Sequence, residues 1–455
     1  MEHTQYPTPP TVPGGLPFLG HSIQFLHNPL SFLAKLPTYG HDVVQVKIGP
    51  ATVAVICSPE LVREQLRKDG SAIVKGGAIY AGFSEIIPSG LALTHGEVYS
   101  RQKAAIIPLF YSTRMGKYCE YMKYTVSEVT SERWEEHAKI NISQETTEMT
   151  TRILIRSFFS GSISDDTRSR LIENIKIITN GEMMLRKAVV PKLLQQVMPS
   201  MHKFDTAIGV LRNDMDAIIA ARRVCDVDRA GNRYDDILSA LMNNSLISQT
   251  EIVDNMITIL IGGTVSTASA MAWSLTYLAQ NPEYQYSLQS EVDDVFARIP
   301  DYDLRYDDLS QFEYLGKFFS EVVRDRPPAW MFSRVCATDL SIGSYAIPEG
   351  TTIIFSPYLI HHHKDYYQDP DRFDPSNSEA VKGPHYIPFG SGPRKCIGQS
   401  FALTESRLCL ALLCRDWEFK TTRGQISPVY SADLRPEAVL QISRRRQADS
   451  NLARN

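Results

Sequence analysis

A 455-residue chain with 43% hydrophobic and 22% charged residues can bury a large core, and a ligand cavity within it, without disulfides. Its formal net charge of -4 argues against a nucleic-acid binder, which usually carries a basic surface. Its seven cysteines are odd in number and hold no C-x-x-C pair, which excludes a disulfide framework and a zinc site and points to a reducing, cytoplasmic setting.

Residues 1–20 are Pro- and Gly-rich and are expected as an extended lead that packs on the surface or frays. They carry no basic-then-apolar leader pattern, and no run of about 18 apolar residues follows anywhere, so no membrane span is expected. "DVVQVKIG" and "TVAVICS" read as a β-hairpin, after which Ser58 and Pro59 supply an N-cap and a first helical position. Residues 71–94, Gly-rich and apolar without clean periodicity, suggest a long loop. Residues 96–300 read as mostly helical, with a Ser248/Glu251 capping box opening a long apolar helix to about Gln280. A helix over 311–324 stops at Pro327 and Pro328. Short strands follow in "DLSIGSYAI" and "TTIIFSPY", then a Pro/Asp/Gly-rich meander over 361–388, a helix to about Cys414, and a polar tail over 447–455. The chain is thus expected to be mainly α with a small β-rich region, residues 21–446 forming a single domain. No strand–GxGxxG–helix unit is present, which argues against a nucleotide-binding Rossmann fold.

The chemistry concentrates at "PFGSGPRKCIG", residues 388–398. A metal-ligating cysteine must be a thiolate, and thiolates are stabilised by cations, backbone N–H groups and helix N-termini. Gly390, Gly392 and Pro393 allow a tight turn around Cys396, Arg394 and Lys395 bring positive charge, and a helix begins after Gly398. Gly398 also lets a flat group lie against the backbone. A lone cysteine in a turn is more often an inert buried residue; the company of Cys396 argues otherwise.

"FGSGPRKCIG" resembles F-x-x-G-x-R-x-C-x-G, the haem-binding loop of the cytochrome P-450 family of haem-thiolate monooxygenases, and further elements follow the family's order. The resemblance implies a heme b cofactor with Cys396 as axial ligand among Phe389, Gly390 and Gly398. Arg394, Arg334, Tyr99 (where the family usually has tryptophan) and Lys103 would bind the propionates. Glu321 and Arg324 resemble the family's E-x-x-R pair, which Arg372 of "DPDRFDP" is expected to join in a buried charge cluster. In "LIGGTVSTASAMAWSL", Gly262 and Gly263 take the small positions of the oxygen-binding helix, Ser266 the alcohol position and Thr267 the next. The acid position is Val265, which cannot relay a proton.

Three enzymatic readings follow from Val265: a monooxygenase with protons delivered by water, Thr264 or a substrate hydroxyl; an oxidation without oxygen insertion, such as radical coupling or desaturation; and a peroxide-dependent reaction or a rearrangement. A non-catalytic haem sensor is the alternative outside enzymes. Ile79, Tyr80, Phe83, Ile86, Ile87, Met183, Met184, Met198, Met201, Leu260, Trp330 and Phe332 are expected over the haem, about half of them as ordinary core. Similarity to bacterial terpene hydroxylases implies a terpenoid or other lipophilic substrate, dioxygen, and a separate electron donor of the ferredoxin/ferredoxin reductase type. Arg101, Lys103, Lys395 and Arg407 would form its basic dock.

Overall fold

A computed structural model describes residues 6–445 except 69, 161, 180–197, 228–230, 300–302, 377–380, 382, 384, 423, 425 and 432. Met183, Met184, the tail over 447–455 and the first five residues of the N-terminal lead therefore lie outside the described residues, as does the side chain of Ile79.

Helices dominate, and two apolar cores hold the chain together: a large one among the helices and a smaller one on the sheet side. Sheet formation starts from the expected hairpin, Val43–Ile48 with Ala51–Ile56, paired Val43↔Ile56 through Ile48↔Ala51. Ala51–Ile56 then runs parallel to Thr352–Phe355, which pairs antiparallel with Phe332–Cys336, and that strand with Ile73–Val74. The lead closes the outer edge: the Val12 N–H donates to the Gln45 carbonyl (2.9 Å) and the Gln45 N–H to the Pro10 carbonyl (2.8 Å). Gly20 sits at φ 56°, where a Cβ would lie 2.3 Å from the Lys47 carbonyl oxygen, so this corner tolerates only glycine.

The 32-residue helix Gln249–Gln280 threads the helical core. Its N-terminus carries the expected capping box, Ser248 Oγ accepting from the Glu251 N–H and the Glu251 carboxylate from the Ser248 N–H. Arg101 grips the same carboxylate with both guanidinium nitrogens (2.6 and 3.1 Å) and, with Ser248 and Gln102, holds its pKa at about 2. The helix is long and apolar enough to cross a membrane, but 67% of its most apolar stretch is buried within the protein, as in a core helix. Ser269 Oγ and Trp273 Nε1 both donate to the Leu434 carbonyl, fastening the C-terminal hairpin Pro428–Tyr430/Leu434–Pro436 to it.

One expectation is corrected. The loop expected over 71–94 contains the strand Ile73–Val74 and the helix Ala78–Ile86. That helix follows Gly77 at φ 87° and has no side-chain cap, so none of the usual start signals marks it.

Candidate active site

Cys396 lies between a one-turn 3-10 helix, Gly392–Arg394, and the helix Gln399–Asp416. The loop is held by its own backbone: the Gly390 N–H donates to the Ile387 carbonyl, Lys395 to Gly392, and Cys396 to Phe389 (2.9 Å). Gly392, at φ 72°, passes so close to the helix Pro59–Arg67 that a Cβ would lie 2.1 Å from the Leu66 carbonyl oxygen. Cys396 is an exposed residue, yet protein packs around its thiol densely enough to push the pKa up; the Gly398 N–H, Lys75 and Lys395 pull in the opposite direction. A thiol that is both reachable and enclosed faces an interior space rather than bulk solvent. Lys75, at the end of the strand Ile73–Val74, had no motif to mark it.

Three expected residues converge beside this loop. Tyr99 Oη and Lys103 Nζ, one turn apart on the helix Gly96–Ile106, both donate to the Pro393 carbonyl (2.9 and 2.6 Å). The Arg394 guanidinium stacks 3.4 Å above the Tyr99 ring and donates to the Thr94 carbonyl (2.6 Å). His95, 3.3 Å from Arg394, joins them, unannounced by any motif. Arg334 approaches from the sheet, buried, donating to Tyr80 Oη (3.2 Å).

The long helix presents a different wall. Gly262 is exposed midway along a helix whose flanks are buried, and a Cβ there meets nothing within 4 Å among the described residues. Gly263 faces inward, where a Cβ would lie 2.9 Å from Leu154 Cδ1. Ser266 Oγ donates to the Gly262 carbonyl (2.8 Å), and Thr267 is buried. Thr264 Oγ1 is buried without a hydrogen-bond partner among the described residues. Val265 is half-buried.

Behind the cysteine loop, Glu321 and Arg324 form a buried two-pronged ion pair (2.8 Å for each contact). Burial alone would lower the Arg324 pKa; Glu321 keeps the guanidinium protonated. Arg324 also donates to the carbonyls of His361, Pro370 and Arg372, and the Asp374 N–H donates to Glu321. Arg372 therefore enters the cluster through its backbone, not its charge. Its side chain is 70% exposed and 3.9 Å from Asp374, because Arg324 already fills the place beside Glu321.

His361 links this cluster to the cysteine loop. Its Nδ1 donates to the Arg324 carbonyl (3.1 Å) and its Nε2 accepts from the Ile387 N–H (2.9 Å), which commits both ring nitrogens in the neutral form. Burial, reinforced by His362 and Arg324, pushes its pKa well below 6.5. Unfolding lets the ring take a proton near pH 6.5, so its contribution is complete above that pH and declines below it, by about 1.4 kcal/mol per pH unit. Melting temperature measured from pH 8 to 5 should fall more steeply for the wild type than for His361→Gln; parallel curves would refute this.

Of the apolar residues expected over the haem, Ile86, Ile87, Met201 and Leu260 are buried in the helical core. Trp330 is buried on the sheet side, stacked on Phe25 and donating to the Ser431 carbonyl, so it cannot line a cavity. Tyr80, Phe83, Met198 and Phe332 are half-buried. Of the expected dock, Arg101 is paired with Glu251, and Lys103 sits beside Tyr99 at the Pro393 carbonyl. Lys395 and Arg407 remain, lining with Arg63 a groove of about 330 Å³ on the other side of the cysteine loop. Arg407 has no carboxylate partner among the described residues, and burial lowers its pKa.

The family model "Cytochrome P450" matches residues 9–445. Pentalenene oxygenase of Streptomyces avermitilis is 31% identical over 95% of this chain and 94% of its own length. Cyclooctatin synthase of Streptomyces melanosporofaciens is 31% identical over 95% and 93%, and cyclooctat-9-en-7-ol 5-monooxygenase of the same organism 29% over 91% and 90%.

Proposed function

Because the chain belongs to the cytochrome P450 family, we propose that it is a monooxygenase inserting one atom of dioxygen into a terpenoid, with heme b held through Cys396. The observation that carries this reading is the Cys396 thiol, enclosed yet reachable, in a loop flanked by cations. The residues fit the group: open space at Gly262, no side chain at Gly398, and the guanidiniums of Arg394 and Arg334 with Tyr99 and Lys103 to meet two propionates. When bound, the haem supplies the activation of dioxygen, and the thiolate donates electron density to it.

This chain's own residues then have separate tasks. Phe389 and the Gly390–Gly392 turn fix the cysteine backbone, and the Glu321–Arg324–His361 cluster braces the turn from behind. Ser266 spends its proton on Gly262, which leaves its oxygen able to accept a hydrogen bond from an incoming donor. Tyr80, Phe83, Met198 and Phe332 offer apolar surface to a hydrocarbon. Relatives named for pentalenene and cyclooctatin support the terpenoid class. The electron donor is a separate ferredoxin, reduced by a ferredoxin reductase in the cytoplasm and docked at Arg63, Lys395 and Arg407.

The test is a panel of sesquiterpene and diterpene hydrocarbons supplied with a surrogate ferredoxin, its reductase, NADPH and oxygen-18 gas. Product carrying one labelled oxygen is expected. Unlabelled desaturated or coupled product, or turnover without dioxygen, would replace this reading with the non-inserting chemistry that Val265 also permits.

A further inference from the structure

The acid that position 265 lacks has a spatial substitute. Val265, Ala268 and Ser269 share one face of the long helix and line a small, partly open cavity together with Ser143, Thr147, Thr179, Asp433 and Arg435. The cavity has room for about one water, and its hydroxyl and carboxyl lining can bind one. A carboxylate side chain at 265 would project into this space. Asp433 brings a carboxyl to the same space from the C-terminal hairpin. Its position is set by its neighbour, since the Leu434 carbonyl is tied to Ser269, one turn beyond Val265, and to Trp273.

Asp433 is 4% exposed and has no ion pair among the described residues; its carboxyl accepts from Ser431 Oγ. Burial raises its pKa, against weaker pulls from Arg435 and from the Ser431 hydroxyl that donates to it. Arg435 is half-buried and gives the cavity a polar edge toward solvent. On the other side of Val265 stands Thr264, whose Oγ1 has no partner among the described residues.

We propose that Asp433 replaces the acid missing from position 265, passing protons through the cavity water to the Gly262–Ser266 turn of the long helix. This rests on the monooxygenase reading. Inserting one oxygen atom while the other leaves as water consumes two protons and two electrons. The electrons come from the external ferredoxin-type donor. For each proton, the Asp433 O–H bond breaks, the cavity water accepts that proton and passes one of its own onward, and the carboxylate left behind is reprotonated from bulk water past Arg435.

Infrared spectroscopy of the haem-loaded protein should show a carboxylic-acid C=O band that shifts in D2O and is missing from Asp433→Asn. With the terpene giving the largest Soret shift as probe, Asp433→Asn should form product about 10²-fold more slowly, with NADPH electrons diverted to hydrogen peroxide. Moving the acid back, in Val265→Asp/Asp433→Asn, should recover much of the coupling. Three results would each overturn the proposal: no D2O-sensitive acid band in the wild type, wild-type coupling in Asp433→Asn, or a double variant no better coupled than the single one. The carbon-monoxide spectrum of the same wild-type sample tests the haem-thiolate reading separately.

Discussion

Cys396→Ala should eliminate the red-shifted Soret band that thiolate-ligated haem gives with carbon monoxide, and with it all product formation, while leaving the fold intact. The separation of the two effects follows from the loop. Its shape is set by the Gly392 turn and by the Cys396 N–H bond to Phe389, neither of which involves sulfur. On the proposed reading the side chain would supply the ligand and the acceptor for the Gly398 N–H. Protein packing pushes that thiol's pKa up against the pull of the Gly398 N–H, Lys75 and Lys395, so a bound iron would be what secures the thiolate. Far-ultraviolet circular dichroism and the carbon-monoxide spectrum should therefore part company in this variant. A preserved thiolate band would disqualify Cys396 as the ligand; a collapsed fold would mean that the sulfur packs as a structural residue.

Arg324→Ala should do the reverse and remove the fold first. Deleting one partner of a buried ion pair leaves the other charge uncompensated, at a cost of about 3–5 kcal/mol, against a total stability of about 5–15 kcal/mol for a typical protein. The same deletion strips donors from the carbonyls of His361, Pro370 and Arg372. Little soluble, haem-loaded protein is expected. Glu321→Gln/Arg324→Met, which removes both charges and keeps most of the volume, should be milder by urea denaturation. Arg372→Ala is the control: its exposed side chain leaves the backbone contribution untouched, so its stability should stay within about 0.5 kcal/mol of wild type. A large loss in Arg372→Ala would mean that its guanidinium reaches the cluster after all.

Features governed by neighbours in sequence were legible in advance. The Ser248/Glu251 capping box, the hairpin before Ser58, the Glu321–Arg324 spacing and the turn around Cys396 each depend on residues a few positions apart. What escaped depends on the direction a side chain takes after distant segments meet. "DPDRFDP" predicts an arginine near the cluster but cannot say that its carbonyl, not its guanidinium, faces Arg324. Trp330 follows the proline pair as expected, yet its contacts with Phe25 and the Ser431 carbonyl place it in the sheet-side core. Asp433 lies 168 residues from Val265, and bonds such as those from Ser269 and Trp273 to Leu434 bring the two to one cavity. The run of three histidines at 361–363 was a visible signal, though composition alone does not say which ring braces Ile387.

The order of strands in the sheet has a consequence for biosynthesis. Ala51–Ile56 pairs on one side with its hairpin partner and on the other with Thr352–Phe355, about 300 residues later. At about 5–20 residues per second, a translating ribosome leaves that second edge unpaired for roughly 15–60 seconds. An apolar strand edge open for so long is a template for pairing with other nascent chains. Yield of this protein should accordingly respond to chaperone supply and translation speed more than to the stability of the finished fold.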